Sequence, residues 1–369
     1  MGIKNKKVLY FASTAGHIRN FHTEIIGGLK SFGYSVITAA HGEGVDVSLP
    51  FEKRMLSLRN FFLIFRIRRL LLEERPALVV LNTALASLLV RLALTKSMKK
   101  TIKVVNFVHG YLFSANMSAP KRWFYLAFEI MLRSRTDTVI TMNRYDEGMA
   151  KKHRLAGRVL HTAGVGIRRR PEITSPGLIR RELYGEGNFT LCFVGELSRR
   201  KNQALLIRTV ARLMAMGVAV RLCLVGDGRE RGRFSALSKR LGIYSSVIFA
   251  GQREDAMDFI RASDLYVSPS RLEGMPLNAI EALSLGKTVL LSRIKGHTDI
   301  ITDGISGYLF DPHSERELCD AVLRVMRGGY IPRERARECA LGRGRSECSL
   351  EILRILLGEL SYDENTNSK

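Results

Sequence analysis

Short apolar runs alternate with helix-like patterns along the first half of the chain. Each run has the length of a strand, is almost continuously apolar, and is followed by a longer segment. The strand-like runs are KKVLYFAS, YSVITAA, ALVVLN, TIKVVNFVHG and DTVITMN, and the first helix-like segment is HTEIIGGLKSFG, ending at Gly33. Strands separated by helices in this way predict a parallel sheet with crossover connections.

The same alternation begins again after a break. Residues 161–186 are rich in Gly, Pro and Arg and have no clear apolar period, which is typical of a domain junction. Strand-like runs then resume as FTLCFVGELS, VRLCLVGDG, SVIFAG, DLYVSPS and KTVLLS, with helices expected near 202–216, 229–241 and 314–327 and in the segment after DLYVSPS.

These patterns predict an α/β protein made of two doubly wound, Rossmann-like domains. We assign residues 1–168 to the first domain, 169–345 to the second, and 346–369 to a C-terminal helix and tail that docks on one of them. Two such domains place the carboxyl ends of two sheets around a central cleft, where sheets of this kind bind ligands. The pattern therefore favours an enzyme with its site between two domains.

Composition agrees with a folded protein of two domains. The chain has 369 residues, of which 46% are hydrophobic and 25% charged, and its five cysteines form no CxxC pair. This cysteine usage favours reduced, buried thiols in a cytoplasmic protein.

The start of the chain leads directly into a strand pattern, so we expect no signal peptide. The longest apolar run, ALVVLNTALASLLV, has 14 residues, fewer than the roughly 20 that a membrane-spanning helix needs.

Charge is distributed unevenly. Residues 1–170 hold 29 Lys and Arg against 10 Asp and Glu, whereas the remainder holds 29 against 25. A basic half is attracted to nucleic acid or to an anionic membrane face, although it can also be an ordinary solvated surface. Within it, FEKRMLSLRNFFLIFRIRRLLLEER interleaves Arg59, Arg66, Arg68 and Arg69 with Phe and Leu. This segment is either a helix that lies on a membrane surface or an ordinary amphipathic core helix.

A basic loop follows the first strand of the second half. Gly195 comes directly after the apolar run, and Arg199, Arg200 and Lys201 precede a helix. Backbone amides at a helix N-terminus together with cationic side chains can bind a diphosphate. The alternative is a set of solvated charges on a loop.

The segment SPSRLEGMPLNAIEAL carries the strongest chemical signal. Gly274 allows a close approach of the backbone, and Pro276 suits a first helical turn. Glu273 lies in the turn, whereas Glu281 lies in the helix among apolar residues, on a surface expected to be largely buried. A carboxylate in such a setting needs a partner, and the vicinal hydroxyls of a ribose would supply one.

Several motifs together resemble a retaining, family-four glycosyltransferase with the GT-B fold, of the bacterial capsular and exopolysaccharide type. In the second half they are GELSRRKN, VGDG, GQRED, SPSRLEGMPLNAIEALSLGK and DGISGYLFDP; in the first half they include FASTAGHIRNFHTEIIGGLKSFGYSV, NFVHGYLFSANMSAP and AGVGI. The resemblance covers about residues 6 to 325.

The resemblance implies a set of donor-binding residues. Glu273 would contact the transferred sugar near its anomeric centre, and Glu281 the ribose. His109 would be an active-site histidine beside the donor sugar, although one histidine after a strand can also be purely structural. The other expected donor contacts, to diphosphate, sugar and base, are Gly16, Gly195, Arg200, Lys201, Gly251, Arg253, Gly274, Met275 and Pro276.

Acceptor recognition is less defined. His17, Arg19 and Asn143 are our candidates for contact with the acceptor, and His22 and His297 are further histidines near strand ends. The chain departs from relatives at Glu196, where many carry an arginine, so that Arg199 or Arg200 would have to supply the second cation. It also departs at LNTALAS, where relatives often have a histidine.

The resemblance implies transfer of a hexose or N-acetylhexosamine from a nucleotide sugar, most simply a UDP-sugar, with retention of configuration. The acceptor would be a polyprenyl-diphosphate-linked saccharide, reached from the inner face of the cell membrane through the basic half. No Asp-x-Asp stands at a strand end, so we expect no metal and no other cofactor.

Three other functional classes are alternatives to a glycosyltransferase. A nucleic-acid-binding protein fits the basic pI but lacks any helix-turn-helix, zinc or RNA-binding motif. A nicotinamide oxidoreductase would need a G-x-G-x-x-G that opens neither half. A non-catalytic subunit that binds sugar nucleotides remains open because of Glu196.

Overall fold

The computed structural model describes residues 6–52, 57–168, 173–185 and 187–361. The chain divides into two compact units, one formed by Met1–Gly166 with Arg345–Lys369 and the other by Ile167–Gly344. The division therefore falls two residues before the first boundary we assigned and one residue before the second.

In its described part, the first unit is built on a seven-stranded parallel sheet with strand order β3-β2-β1-β4-β5-β6-β7. Its strands read as apolar runs because both faces of a parallel sheet are covered by helices. The strands are Lys7–Thr14 (β1), Ser35–His41 (β2), Val47–Ser48 (β3), Leu78–Leu81 (β4), Lys103–Val108 (β5), Thr138–Thr141 (β6) and Arg158–His161 (β7).

The helices of this unit connect successive strands. They are Ala15–Phe21 (α1), Thr23–Ser31 (α2), Leu58–Glu74 (α3), Ala84–Ala93 (α4), Ala119–Leu132 (α5) and Arg144–Lys152 (α6), with single turns at Met98–Lys100 and Arg133–Arg135. The helix predicted for residues 22–33 is confirmed as α2. The prediction missed α1, which lies before it, because Thr14 caps a helix that begins directly after β1 and ends at His22.

The second unit contains, in its described part, a six-stranded parallel sheet with strand order β10-β9-β8-β11-β12-β13. Its strands are Phe189–Val194 (β8), Val220–Val225 (β9), Val247–Gly251 (β10), Leu265–Ser268 (β11), Val289–Ser292 (β12) and Tyr308–Phe310 (β13). Its helices are Pro176–Ile179 (α7), Gln203–Ala215 (α8), Arg231–Arg240 (α9), Ala256–Ala262 (α10), Leu277–Ser284 (α11), Glu315–Met326 (α12) and Arg333–Glu338 (α13), with short turns at Arg180–Tyr184 and Tyr244–Ser246.

The doubly wound α/β architecture predicted from the strand pattern is thus confirmed in both units. All five cysteines are free thiols, and four of them are buried. None of the described helices is long and apolar enough to cross a membrane.

The last helix, Arg345–Ser361 (α14), packs on α2 of the first unit. Its Glu359 is 4% exposed and accepts hydrogen bonds from the Thr138 hydroxyl at 2.7 Å and from Arg158 Nη1 at 2.9 Å. These bonds tie the end of the chain to β6 and β7. A buried carboxylate is stabilised by such partners, and they fix the position of α14.

Replacing Glu359 with alanine should lower the free energy of unfolding by about 2 kcal/mol, because the buried Thr138 hydroxyl loses its acceptor. Urea unfolding of the full chain and hydrogen exchange of α14 measure the loss. Glu351→Ala on the exposed side of the same helix is the control and should be nearly neutral. Equal effects of the two substitutions would contradict the role given to Glu359.

Candidate active site

The loops after β8 and β11 lie side by side in the second unit. These two strands are neighbours, although β9 and β10 lie between them in sequence. This arrangement is the switch point of a doubly wound sheet, outside which ligands bind in such folds. The loops 195–202 and 269–276 therefore form the edge at which the sequence predicted a donor site.

Backbone contacts hold these two loops together. Asn202 is buried and donates through Nδ2 to the carbonyls of Pro269 at 3.1 Å and Pro312 at 3.0 Å. The amide of Arg271 donates to the carbonyl of Arg200 at 2.9 Å. The basic loop is thus fixed against the Glu273 turn before any ligand arrives.

Glu273 is the central charge of this edge. It is 6% exposed, and it accepts from Lys201 Nζ at 2.6 Å and from Arg200 Nη1 at 3.2 Å. Burial raises the pKa of the Glu273 carboxyl, but the charges of Lys201 and Arg200 outweigh this and lower that pKa to about 2. Arg200 also donates to the carbonyl of Leu272 at 3.0 Å. Glu273 is therefore ionised at neutral pH and can accept, but not donate, hydrogen bonds.

A histidine supports the floor of the same edge. His297 is fully buried, and its Nε2 lies 3.2 Å from the Ser268 hydroxyl, while its Nδ1 lies 2.9 Å from the Ser292 carbonyl. Burial lowers the pKa of His297 to about 4, although the charge of Glu273 acts in the opposite direction. The ring is neutral and fully engaged, so it positions its neighbours.

The remaining residues of the basic loop take separate roles. Gly195 has a φ of +149°, in the region that favours glycine. Glu196 is exposed, and Arg199 pairs with Glu230 at 3.2 Å. Of the two arginines considered as the second cation, Arg200 is therefore the one that lies with Lys201 at Glu273.

The turn before α11 contains Gly274, Met275 and Pro276 as expected. The interpretation of Glu281 as a buried acid was wrong, because this side chain is half-buried. The buried side of α11 is formed by Ala279, Ile280, Ala282 and Leu283, and Glu281 lies between these pairs on the more open side. The buried carboxylate of this segment is Glu273 instead, and its partners are protein cations.

Gly251 is the last residue of β10, and Arg253 lies in the loop that follows. The carbonyl of Gly251 accepts from the amide of Gly226 at 2.7 Å, which joins this loop to the one after β9. Arg253 pairs with Asp255 at 2.7 Å, and this hydrogen bond is the main reason that the pKa of Asp255 falls to about 2. The guanidinium of Arg253 thus has a structural partner within its own loop.

In the first unit, α1 presents the residues predicted after β1. Gly16 lies in its first turn, where a Cβ would meet open space, so the backbone is accessible there. His17 and Arg19 follow on the same helix, and Arg19 is exposed. The structure brings His17 to 4.6 Å from His109, measured between ring centroids, and His22 to 5.1 Å from each of them.

Asn143, a predicted acceptor contact, is fully buried and caps α6. Its Oδ1 accepts from the Asp146 amide at 2.8 Å, and its Nδ2 donates to the Asp146 carboxylate at 2.8 Å. The same carboxylate accepts from the amide of Tyr111 at 3.0 Å, two residues after His109. Asn143 is therefore committed to a structural role that holds the His109 loop in place.

Two supporting residues escaped the sequence analysis, Asn202 and Asp146, whereas His297 was noted only as a histidine near a strand end. Asp146 had a readable signal, since Asn143 with an acid three residues later is a helix-start pattern. Asn202 and His297 act through contacts with residues far away along the chain.

Both halves of the chain are similar to known protein families. Residues 178–341 match the model described as "Glycosyl transferases group 1", and residues 30–154 match "Glycosyl transferase 4-like domain". The second half of the chain is thus similar to the group 1 glycosyl transferases. The two matches fall in the two halves of the chain, one on each Rossmann-like unit.

Three known proteins are similar to this chain over more than half of its length. It is 28% identical to "Putative glycosyltransferase EpsD" of Bacillus subtilis over 82% of its own length and 83% of the relative's. It is 23% identical to an Escherichia coli "UDP-Gal:alpha-D-GlcNAc-diphosphoundecaprenol alpha-1,3-galactosyltransferase", over 60% and 59% of the two chains. The Anabaena protein Alr3699/HepE in complex with UDP and glucose superposes with a TM-score of 0.74 at 19% identity, covering 97% of this chain and 100% of that one. This superposition confirms the GT-B fold.

The charge cluster at Glu273 should make stability depend on pH. Its carboxyl pKa is lowered from 4.5 to about 2, so it contributes stability above about pH 4.5 that is lost as the pH falls towards 2. At pH 7, Glu273→Gln should lower the free energy of unfolding by about 3 kcal/mol, and the difference should vanish near pH 2. Denaturant unfolding over this pH range measures it.

Glu196→Gln, an exposed acid on the facing loop, is the matched control and should change stability little at any pH. A Glu273→Gln effect that is constant between pH 7 and pH 2 would contradict the pairing described here.

Proposed function

We propose that this protein transfers a hexose or N-acetylhexosamine from a UDP-sugar to a polyprenyl-diphosphate-linked saccharide, with retention of configuration, during assembly of a surface polysaccharide. The observation that carries the proposal is the Glu273–Lys201–Arg200 cluster at the switch point of the second sheet. The names of the relatives support the substrate classes: one acts on a diphosphoundecaprenol-linked sugar, and another binds UDP and glucose.

The cluster suits a donor diphosphate. Lys201 and Arg200 now share the single negative charge of Glu273, and a diphosphate would offer them more negative charge than one carboxylate does. Their transfer to the diphosphate would release Glu273 to accept from the hydroxyls of the sugar. Because the pKa of Glu273 is about 2, this group would act as an acceptor that orients the sugar, and not as a general acid.

Retention follows, in this proposal, from attack by the acceptor hydroxyl on the same face that the nucleotide leaves. Glu273 would make a poor covalent nucleophile, since its oxygens, once released from Lys201 and Arg200, would be engaged by hydroxyl groups of the sugar. Lys201, Arg200 and the helix amides would stabilise the departing UDP. These cations would supply the positive charge that a metal ion supplies in other transferases, so we propose transfer without a metal cofactor.

His109 is the proposed catalytic residue of the first unit. Burial, with smaller contributions from His17 and His22, holds its pKa well below the usual value, so the ring is neutral at pH 7. A neutral ring can accept a hydrogen bond from a hydroxyl group of the substrate through its free nitrogen. It therefore suits the orientation of a sugar hydroxyl rather than the stabilisation of negative charge.

An apolar pocket beside His109 supports a lipid-linked acceptor. It has a volume of about 60 Å³ and lies between α4 and α5, with walls that include Leu88, Phe113, Tyr125 and Phe128. Such walls suit an acyl or isoprenoid chain better than a sugar. We propose that the lipid end of the acceptor lies along this side of the unit.

The basic helix α3 has a buried apolar side and an exposed aromatic side. Leu63, Ile67 and Leu71 are buried in the core. On its outer side the aromatic side chains Phe61, Phe62 and Phe65 are 56%, 67% and 55% exposed. Exposed aromatic groups beside arginines favour binding to an anionic membrane surface. We propose that this surface holds the enzyme at the inner face of the cell membrane.

Donor contacts can be tested by substitution. Lys201→Ala and Glu281→Gln should each weaken UDP binding about tenfold or more, because each removes a contact to the nucleotide. Glu273→Gln and His109→Ala should slow transfer at least 100-fold with little change in UDP affinity. Calorimetry with UDP and assays with a panel of UDP-sugars, with and without EDTA, measure these effects.

Arg199→Ala, on the same loop but paired with Glu230, is the control and should retain both properties. If the Glu273 and His109 variants were as active as the unchanged chain, the site would be contradicted. Loss of activity in EDTA would contradict transfer without a metal. Nucleotide binding with no hydrolysis or transfer by the intact protein would favour a non-catalytic subunit.

Membrane binding should depend on α3. Sedimentation with vesicles should show binding that rises with anionic lipid content and falls with salt. The triple substitution Phe61→Ser, Phe62→Ser, Phe65→Ser should abolish it. Phe32→Ser, at a side chain that is 59% exposed elsewhere in the same unit, is the control. Binding to neutral vesicles that is insensitive to salt would contradict the proposal.

A further inference from the structure

Three histidines from separate segments meet in the first unit. His17 lies on α1, His22 lies between α1 and α2, and His109 follows β5. One nitrogen from each ring lies within 4.8 Å of the nitrogens chosen from the other two. The three rings also contact one another directly, at centroid distances of 4.6 to 5.1 Å.

The nitrogens of this cluster lack partners. The Nε2 atoms of His17, His22 and His109 are all inaccessible to solvent, and none has a hydrogen-bond partner among the residues that the structure describes. Buried polar atoms are nearly always paired. Three unpaired nitrogens at one place leave bonding capacity that a single ligand could satisfy.

All three rings offer a nitrogen of the type that transition metals bind, and these nitrogens come together from separate segments of the chain. A site of imidazole nitrogens selects zinc, copper or nickel over magnesium or calcium.

The surroundings orient one ligand and weaken the site. The Tyr10 hydroxyl lies 2.9 Å from Nδ1 of His22, and a contact of this kind fixes the ring and leaves Nε2 for an ion. The positive charge of Arg345 acts on His22 and would repel a metal ion. We therefore expect lower affinity than in sites that include a carboxylate.

We propose that His17, His22 and His109 form a site for a transition-metal ion, with Zn²⁺ as the best fit. With Zn–N bonds of about 2.0 Å, tetrahedral ligand nitrogens lie about 3.3 Å apart. The rings would therefore draw together on binding. His17, which is only partly buried, can make most of this adjustment by side-chain rotation.

The site has a consequence that rests on the proposed function. A metal ion at His109 would take this ring away from the substrate, so Zn²⁺ would inhibit transfer. Nucleotide binding by the second unit would not change. The metal site itself does not depend on whether the protein is a transferase.

Titration of the metal-free full chain with Co²⁺ tests the site. We expect one equivalent to bind with the visible absorption of tetrahedral cobalt, and Zn²⁺ to displace it. His17→Gln and His109→Gln should each weaken binding at least tenfold. His313→Gln, at an exposed histidine of the second unit, should bind as the unchanged chain does. Thermal unfolding of each variant verifies that it is folded.

Absence of saturable Co²⁺ binding would overturn the proposal. It would also be overturned if the His17 and His109 variants bound Co²⁺ as tightly as the unchanged chain. Transfer measured with added Zn²⁺ tests the consequence separately. Zinc binding without inhibition would leave the site in place but refute the inhibition. Failure of the chain to bind UDP would refute the proposed function without changing the cobalt result.

Discussion

The buried carboxylate of Glu273 is the constraint on which the donor-side edge depends. An ionised group at 6% exposure is costly unless it is paired, and Lys201 and Arg200 supply the pairing from the loop after the neighbouring strand. The two loops must therefore keep fixed positions relative to each other. The bonds from Asn202 and from the amide of Arg271 hold them there. The positions of these loops follow from the need to neutralise one charge.

This pairing also shapes how a diphosphate could enter. Cations that were free in solution would have to be ordered and desolvated when the ligand binds, whereas Lys201 and Arg200 are already in place. The ligand would replace one anionic partner with another, and Glu273 would exchange its cations for hydroxyl groups. The exchange leaves every charged group with a partner at each stage, which keeps its cost low.

The fold was readable because both sheets are parallel and covered on both faces, so their strands appear as continuous apolar runs. The residues of the donor edge were also readable, since Glu273 and Lys201 follow adjacent strands. The contact between Glu273 and Lys201 could not be predicted. Spacing along the chain does not show whether a residue faces a ligand or a neighbouring side chain. Glu281 was misjudged for a related reason: its neighbours along the chain are apolar, but helical geometry turns it to the open side. The meeting of His22 and His109 depends on the order of strands, which no local pattern contains.

The two sites bury polar groups in opposite ways, and this difference bears on what each can bind. At the donor-side edge the central buried group, Glu273, is charged, and Lys201 and Arg200 pair with it. In the histidine cluster of the first unit the imidazoles are neutral, and their Nε2 atoms find no partner among the described residues. A neutral ring tolerates burial without a partner far better than a carboxylate does. Such a cluster can therefore persist unoccupied at modest cost, and most of the bonding capacity of its nitrogens stays available to a ligand.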